Sequence, residues 1–511
     1  MSHMRAELLV IGSGFGGSMI AQMMQRHGMR VALVDRSHHP RFAIGESSTP
    51  IANLLIERIA VEQGLPQLQS FARYGDWRQA HPTIPCGPKR GFAYIHHIPN
   101  RPFLRRADHA NELFVASNPD IERSDCQWLR SEFDAYLFGE ACRAGVACFE
   151  DAEPVALHRA GRKRRNATWQ ACFERAGAHH TIDADFVIDA TGSGVIPTAL
   201  DVPDALRGIR TNSRTIYAHF RDIARWNELH ATHGADEHPF SADEATLHHV
   251  FDGGWMWIIR FDNGVTSAGF SLDTTRFPSN PATPPEQEFG GLVAMFPSIQ
   301  RQFARARPIT PMIRSGRIQR FRSHAAGNDW AMLPATAGFV DPFFSTGNAH
   351  TLLGVMRLAE IVTRTTPGDD RAERLVAYDR MIRQEIRAID RLVHGCFRCF
   401  GDMGRLSAFA MLYFLAATTC EARLRRGEPV DDVGFLLAGD AAFQDMVAGF
   451  HHRICIDRDA ATPAGDSSLL CEIRDRAAAY NSAGLCDPNR RNLYPYLAPT
   501  DETSARSRSE R

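Results

Sequence analysis

The sequence predicts an α/β fold, and three patterns carry the prediction. Near the start, the apolar run Glu7-Leu-Leu-Val-Ile11 feeds directly into Gly12-Ser-Gly14-Phe-Gly-Gly17, then a helical stretch over residues 18–26, then a second strand, Val31-Ala-Leu-Val34, that ends on Asp35. Two later apolar runs, Phe186-Val-Ile-Asp-Ala-Thr-Gly192 and the segment 330–347, again run into glycine turns. Elsewhere the periodicity changes. Stretches such as Thr215-Ile-Tyr-Ala-His-Phe220 and Val265-Thr-Ser-Ala-Gly-Phe-Ser-Leu272 alternate with period 2 and read as an antiparallel sheet, while from about residue 371 the pattern is helical, as in Ile386-Arg-Ala-Ile-Asp-Arg-Leu-Val393.

A glycine fingerprint alone is weak. Strand, glycine loop, helix, strand and acid in that order form the full context of a dinucleotide-binding, Rossmann-like unit. Gly12 permits the tight turn, Gly14 lets backbone approach a pyrophosphate, and Gly17 lets the helix pack close to its strand. The helix that starts there presents unpaired N–H groups and a partial positive charge to phosphate. Asp35 ends the second strand, where an acid accepts hydrogen bonds from a ribose.

Composition bounds the rest. Hydrophobic residues at 44% and charged residues at 23% of 511 exclude a disordered chain and a small disulfide scaffold. Lys+Arg 58 against Asp+Glu 59 leaves a net charge of −1, which argues against nucleic-acid binding because neutralising phosphates needs a basic excess. Only two of the 58 basic residues are lysines, Lys89 and Lys163, so a functional lysine has few competitors. The 11 cysteines include one Cys-x-x-Cys pair, Cys396 and Cys399, with no second pair nearby, so they read as buried residues and no metal site is expected. Sparse cysteines and no secretion signal favour a reducing cytoplasm. Met1-Ser-His-Met4 reads as a tag remnant. No long apolar run predicts a transmembrane helix; the stretch near 409–418 reads as a buried helix.

One fingerprint followed by two returns to the same sheet resembles the large FAD-dependent monooxygenase fold. Five further stretches narrow the resemblance. They are His39-Pro-Arg41-Phe-Ala-Ile-Gly45-Glu46-Ser47-Ser48-Thr49-Pro50, Cys86-Gly-Pro-Lys89-Arg-Gly-Phe92, Trp128-Leu-Arg130-Ser-Glu-Phe-Asp134, Gly254-Trp255-Met-Trp257-Ile258-Ile-Arg260 and Asp341-Pro-Phe-Phe344-Ser-Thr346-Gly347. Together they resemble the flavin-dependent halogenases, closest to the phenol- and pyrrole-halogenating branch, across residues 5–365.

The resemblance implies a set of roles. FAD would lie on Gly12, Ser13, Gly14, Phe15, Gly16 and Gly17, with Asp35 and Arg36 at the ribose end. Arg41, Glu46, Ser47, Ser48, Thr49 and Pro50 would strap the isoalloxazine, with Arg130, Asp341 and Gly347 also contacting the cofactor. Thr346 and Gly347 would bind chloride or bromide through backbone N–H groups. In the family, reduced flavin and oxygen convert the halide to hypohalous acid, which reaches a lysine beside the substrate; Lys89 stands at that position. An ammonium there can polarise hypohalous acid, or a desolvated amine can form a haloamine. Trp255 and Trp257 alternate with Met256 and so share one strand face, as core residues and as a barrier between flavin and substrate. Phe92 and Phe344 would line the substrate pocket.

Two departures bear on substrate. Arg260 replaces the proline that ends the family's tryptophan signature, and Phe344 stands where tryptophan-halogenating members carry a glutamate. Phe344 takes no proton, so the resemblance implies an electron-rich phenolic or pyrrole-type ring, free or tethered to a carrier protein. Glu112, His96 and His97 remain open as auxiliary bases. An aromatic hydroxylase and a flavin-binding protein without halogenation are the competing readings.

The expected layout is an FAD-binding module with a lysine-bearing insertion at 5–200, an antiparallel substrate sheet at 201–310, a return to the FAD module at 311–370, a helical substrate cap at 371–496 and a disordered tail at 497–511. With one dinucleotide fingerprint, a separate NAD(P)H-dependent flavin reductase is the expected partner.

Overall fold

The computed structural model describes residues 2–153, 155–159, 169–230, 237–457 and 466–496. The expected tail at 497–511 and Lys163 lie outside them. Two sheets organise the chain. The first has the order Ala326–Gly327, Trp330–Met332, Ala178–Asp189, Ser2–Ile11, Val31–Val34 and Ala147–Phe149. Its centre is parallel: Leu8 pairs with both Val31 and Phe186, and Val187 pairs with Trp330. Leu8, Leu9 and Val10 are fully buried, as an apolar run sandwiched between helices must be. The first strand begins at Ser2, earlier than the apolar run alone indicates. Helix Phe15–Arg26 packs on it and helix Thr346–Arg364 packs on that helix, while strand Trp330–Met332 brings the segment after residue 330 back to this sheet.

The second sheet has nine strands. Its centre is Ser213–Arg221, Thr266–Asp273, Gly254–Arg260 and Thr246–Phe251, paired antiparallel. It departs from the expected 201–310 block in two ways. Gly91–His97 and Glu112–Ala116 join it from the first 200 residues, and Leu493–Tyr494 joins it from the end of the chain. Two pairings, Thr246–Phe251 with Gly91–His97 and Leu493–Tyr494 with Glu112–Ala116, are parallel. Strands so far apart in sequence need no hairpin, so local periodicity carries no sign of their direction.

Strict alternation gives this sheet two faces. Phe92, Tyr94, Trp255 and Trp257 join the main core, while Ala93, Ile95, Met256 and Ile258 build a separate core with Trp226, Phe289 and Phe296.

The C-terminal region is helical: Asp369–Cys399, Met403–Arg425, Ala441–Asp457 and Asp466–Arg476. Met403–Arg425 is long and apolar enough to cross a membrane by length and composition, yet 72% of its apolar window is buried within the protein. It is a core helix, packed against Asp369–Cys399 and Asp466–Arg476. Cys396 and Cys399 lie buried at the end of the first of these helices, unbridged.

Candidate active site

A cavity of about 720 Å³ runs from the glycine turn to the face of the second sheet. At one end lie Gly12, Gly14, Asp35, Arg36 and Arg41; at the other lie Glu46, Ser47, Trp255, Trp257 and Gly347. Asp35 is oriented by its own turn: Oδ2 accepts from Ser13 N–H at 2.7 Å and Ser13 Oγ at 2.9 Å, and Oδ1 accepts from Ser37 N–H at 2.9 Å. Burial works to raise its pKa, but nearby Arg41 and these donors outweigh burial and hold the carboxyl below its usual value. Ser13 therefore serves Asp35 and does not itself line the cavity.

Two features fit FAD. The buried Nε atoms of Arg41 and Arg320, both lining residues, have no hydrogen-bond partner among the described residues, as donors awaiting an anionic or carbonyl acceptor do. Gly14 is open on the protein side, where an added Cβ meets nothing closer than the side-chain tips of Arg130, Asp134 and Arg41, at 3.5, 3.6 and 3.7 Å. The fold itself therefore does not require glycine there, while the cavity lies against it.

The strap is held from behind. Arg130 donates to both Asp134 carboxylate oxygens at 2.8 Å and, through Nη1, to the carbonyls of Ile44 and Gly45 at 3.0 and 3.2 Å. Its guanidinium also lies over Phe15, 4.8 Å from the ring centroid. Glu46 points to His219, whose Nε2 is 2.6 Å from the carboxylate. Ser47 contributes its Oγ to Thr246 and its carbonyl to the Asn348 amide. Beyond Ser47 the strap leaves the cavity: Ser48 turns toward Lys89, and Thr49 and Pro50 begin the helix Pro50–Glu62. Those three do not reach the cavity, contrary to the expectation that they contact FAD.

Asp341 also departs from expectation. Its carboxylate does not line the cavity. It accepts from Ser213 and Ser271 hydroxyls at 2.8 and 2.6 Å, from Phe343 N–H at 3.1 Å and from Trp255 Nε1 at 3.2 Å. Its role is to cap the turn Pro342–Phe344 and to fix the Trp255 indole. Burial raises its pKa to about 6, against the pull of these donors. After it, Ser345 adopts φ +54 and helix Thr346–Arg364 begins. Gly347 lines the cavity with nothing within 4 Å of a would-be Cβ; Thr346 is buried beside it without lining the cavity. The helix start aims free N–H groups toward this end.

Lys89 is fully buried, on the far side of the strap from the cavity. It ends the strand Cys86–Lys89, which pairs antiparallel with Asp125–Trp128. Its Nζ donates to the Ser48 carbonyl at 2.6 Å and sits 4.1 Å from the Phe92 ring centroid. Burial pushes its pKa down to about 7, opposed by Asp125. Around it is a cluster of packed aromatic rings. Phe344 stacks on Tyr413 at 4.0 Å, Tyr94 stacks on His248 at 4.4 Å, and Phe343 meets Tyr94 at 5.4 Å. Trp255 and Trp257, 5.8 Å apart, line the cavity, and Trp255 also contacts Phe343 and His248 of the aromatic cluster.

The three open auxiliaries separate. His97 and Glu112 lie on the back of the sheet. His97 is 2.9 Å from His249, and Glu112 is held by His109 and His238 at 2.5 and 2.9 Å. Neither faces Lys89. His96 shares the front face with Phe92 and Tyr94, and its Nε2 meets the Phe400 carbonyl at 3.1 Å. Arg260 is structural: its guanidinium binds Asp243 and the carbonyls of Ile223 and Ala224. Sequence reasoning missed Tyr217, Arg320, Ser345 and Asn348 as cavity residues, and His219 as the partner of Glu46. Tyr217 and His219 were within reach, because the period-2 stretch beginning at Thr215 places both on one face.

The sequence profile described as tryptophan halogenase matches residues 129–399, more than half the chain. The chain belongs to the tryptophan halogenase family. A profile described as an NAD(P)-binding Rossmann-like domain matches residues 10–79, which hold the glycine turn. This halogenase is 28% identical over 404 residues to tetracycline 7-halogenase of Kitasatospora aureofaciens, covering 77% of this chain and 70% of that one. It is 26% identical over 427 residues to monodechloroaminopyrrolnitrin halogenase PrnC of Pseudomonas fluorescens, covering 82% and 72%. Among solved structures, halogenase PltM superposes with a TM-score of 0.85 at 22% identity, covering 95% of this chain and 99% of that one. The fold is thus that of a flavin-dependent halogenase, an oxidoreductase using FADH2, oxygen and a halide.

Proposed function

We propose that this halogenase modifies an electron-rich aromatic ring, phenolic or pyrrole-type, and that Lys89 directs the halogen onto it. The observation that carries the reading is a lysine buried among aromatic rings and separated from the flavin cavity by the strap and Trp255. Relatives support the substrate class: one is a 1H-pyrrole-2-carbonyl-[peptidyl-carrier protein] brominase of Pseudoalteromonas luteoviolacea, and PltM has been crystallised with phloroglucinol and FAD. A separate flavin reductase supplies the FADH2.

Bound reduced FAD supplies the electrons with which oxygen and halide yield hypohalous acid. The chain's own residues do the rest. Arg41, Arg320 and the backbone at Gly14 hold the dinucleotide; Glu46, Ser47 and Arg130 fix the strap over it. N–H groups at Thr346 and Gly347 hold the halide. Trp255 and Trp257 keep substrate from the flavin. Among the rings around it, the Lys89 N–H groups hold the hypohalous oxygen and leave the halogen facing the substrate ring. The carbon–halogen bond forms as the oxygen–halogen bond breaks, and the oxygen leaves as water with the ring proton. Phe344 accepts no proton, so the ring's own heteroatom must stabilise the cationic intermediate. The Tyr94 hydroxyl, buried beside Tyr413 and Cys396 without a hydrogen-bond partner among the described residues, is available to a substrate hydroxyl or ring N–H.

The test supplies FAD, a flavin reductase, NADH, oxygen and bromide or chloride, with a panel of phenols and pyrroles read by mass spectrometry. Halogenated product from wild type, and none from Lys89→Met with flavin oxidation retained, is the expected result. Oxygen insertion independent of halide would instead identify a hydroxylase.

A further inference from the structure

A second buried ionisable group, Asp125, lies next to Lys89. Asp125 is the residue directly opposite Lys89 on the antiparallel ribbon. Directly opposed residues point to the same side of such a pair, with Cβ atoms about 5 Å apart. Both side chains are buried, Lys89 fully and Asp125 to 1% exposure. A carboxylate in such a place needs support, and it has it. Oδ1 accepts from the Asn53 amide at 2.5 Å and Oδ2 from the Ser117 hydroxyl at 3.1 Å. The support closes on Lys89 from the other side. Asn53 Oδ1 accepts from Ser48 Oγ at 3.2 Å, and the carbonyl of that same Ser48 receives Lys89 Nζ.

We propose that Asp125 is the positioning residue for Lys89, a buried counter-charge that sets the fraction of the lysine carried as ammonium and that is tied to the flavin-facing strap through Asn53 and Ser48. This rests on the reading of Lys89 as the residue that directs halogen. The other ionisable groups around the pair do not substitute for Asp125. His248 faces Lys89 but is driven to about 3 by burial and stays neutral. Tyr413 is raised far beyond its ordinary value by burial and is also neutral. Glu421 reaches Asp125 electrostatically from helix Met403–Arg425, but its carboxylate is bound by Arg425 at 2.7 Å. Tyr496 and Cys126 also face Asp125; both are pushed up, chiefly by burial, and are neutral. Burial raises Asp125 and lowers Lys89, while each favours the charge of the other.

The consequence has one sign whichever form of the lysine works. Removing the carboxylate weakens the ammonium, so the proton equilibrium of Lys89 moves to lower pH. If the ammonium acts, the basic limb of the rate profile moves down; if the amine acts, the acidic limb does. The chain has only two lysines, so protein labelled with 13Cε-lysine gives two resolvable signals, and Lys163→Arg assigns them. In the wild type the Lys89 signal should titrate far below an ordinary lysine. In Asp125→Asn it should titrate at least about one unit lower, a tenfold change in the equilibrium. The kcat/KM limb should move with it. Asn53→Ala, which strips the amide from the carboxylate, should shift it in the same direction by less, and serves if Asp125→Asn does not fold. A Lys89 titration unchanged in both variants overturns the proposal, whatever happens to the rate. If Lys89→Met still halogenates, the reading of Lys89 fails instead, and the titration separates the two failures.

Discussion

Gly12, Gly14 and Gly17 occupy one turn but are glycine for different reasons. At Gly12 the backbone takes φ +101 and a Cβ would lie 2.7 Å from the Ala190 carbonyl; at Gly17 it would lie 1.9 Å from the Gly12 oxygen. Both are required by the fold itself. Gly14 has φ −63, open to any residue, and a Cβ there meets nothing closer than 3.5 Å. Gly14→Ala should therefore keep the thermal midpoint of the protein without FAD within about 2 °C of wild type, a surface-level effect. It should weaken FAD about tenfold or more, at least 1.4 kcal/mol. Flavin titration and a melting curve check the two halves. Gly17→Ala should fail in both. The fingerprint was legible because it is local. Asp35 and its turn, Arg41 and Arg130 were legible for the same reason. The true setting of Asp341 was not: its partners Ser213, Ser271 and Trp255 come from three strands of another sheet, and no local pattern records that pairing.

At the level of elements, the loop and helix that end the flavin cavity are anchored by one buried cluster. Helix Thr346–Arg364 carries His350 and Arg357; helix Asp369–Cys399 carries Glu385. Arg357 grips Glu385 with two bonds of 2.9 Å, His350 adds a third at 2.9 Å, and Phe435 N–H adds a fourth at 2.8 Å. Arg357 also donates to the carbonyls of Val430 and Val433, so three segments meet at this point. Burial alone would raise the Glu385 pKa, but Arg357 and His350 outweigh it and hold the carboxyl at about 2. A depressed carboxyl stabilises fully above its unfolded pKa, about 4.3, and loses that contribution as pH falls toward the folded value. Glu385→Gln should cost about 3–5 kcal/mol at neutral pH, because Arg357 is left buried without its counter-charge. Urea unfolding from pH 7 down to pH 3 should show wild type losing its advantage over the variant in the acid range. An advantage independent of pH would assign the cluster to packing alone. The helices were legible from their 3.6-residue period, but the cluster was not: Glu385 sits among Arg383, Gln384 and Arg387, and no local pattern links it to His350 and Arg357 on another helix.

Across the whole molecule, length and composition allowed more than one nucleotide site. Among the described residues one glycine turn of this kind is present, and one cavity of about 720 Å³ runs from it to the tryptophan wall. The second sheet and the strap line that cavity, and helix Met403–Arg425 brings Tyr413 and Phe414 against Phe92 in the rings around Lys89. At the far end Glu46, Ser47, Trp255 and Trp257 are all buried. On the proposed reading, with a single glycine fingerprint among the described residues, the chain receives electrons already on the flavin. Purified protein with FAD, NADH, oxygen, halide and substrate should therefore consume no NADH above the rate without protein. Adding a flavin reductase should start turnover, and FADH2 reduced chemically beforehand should give halogenated product with no nicotinamide present. NADH oxidation by the chain alone, proportional to its concentration, would overturn the two-component reading, because the chain would then take electrons from a nicotinamide without a partner.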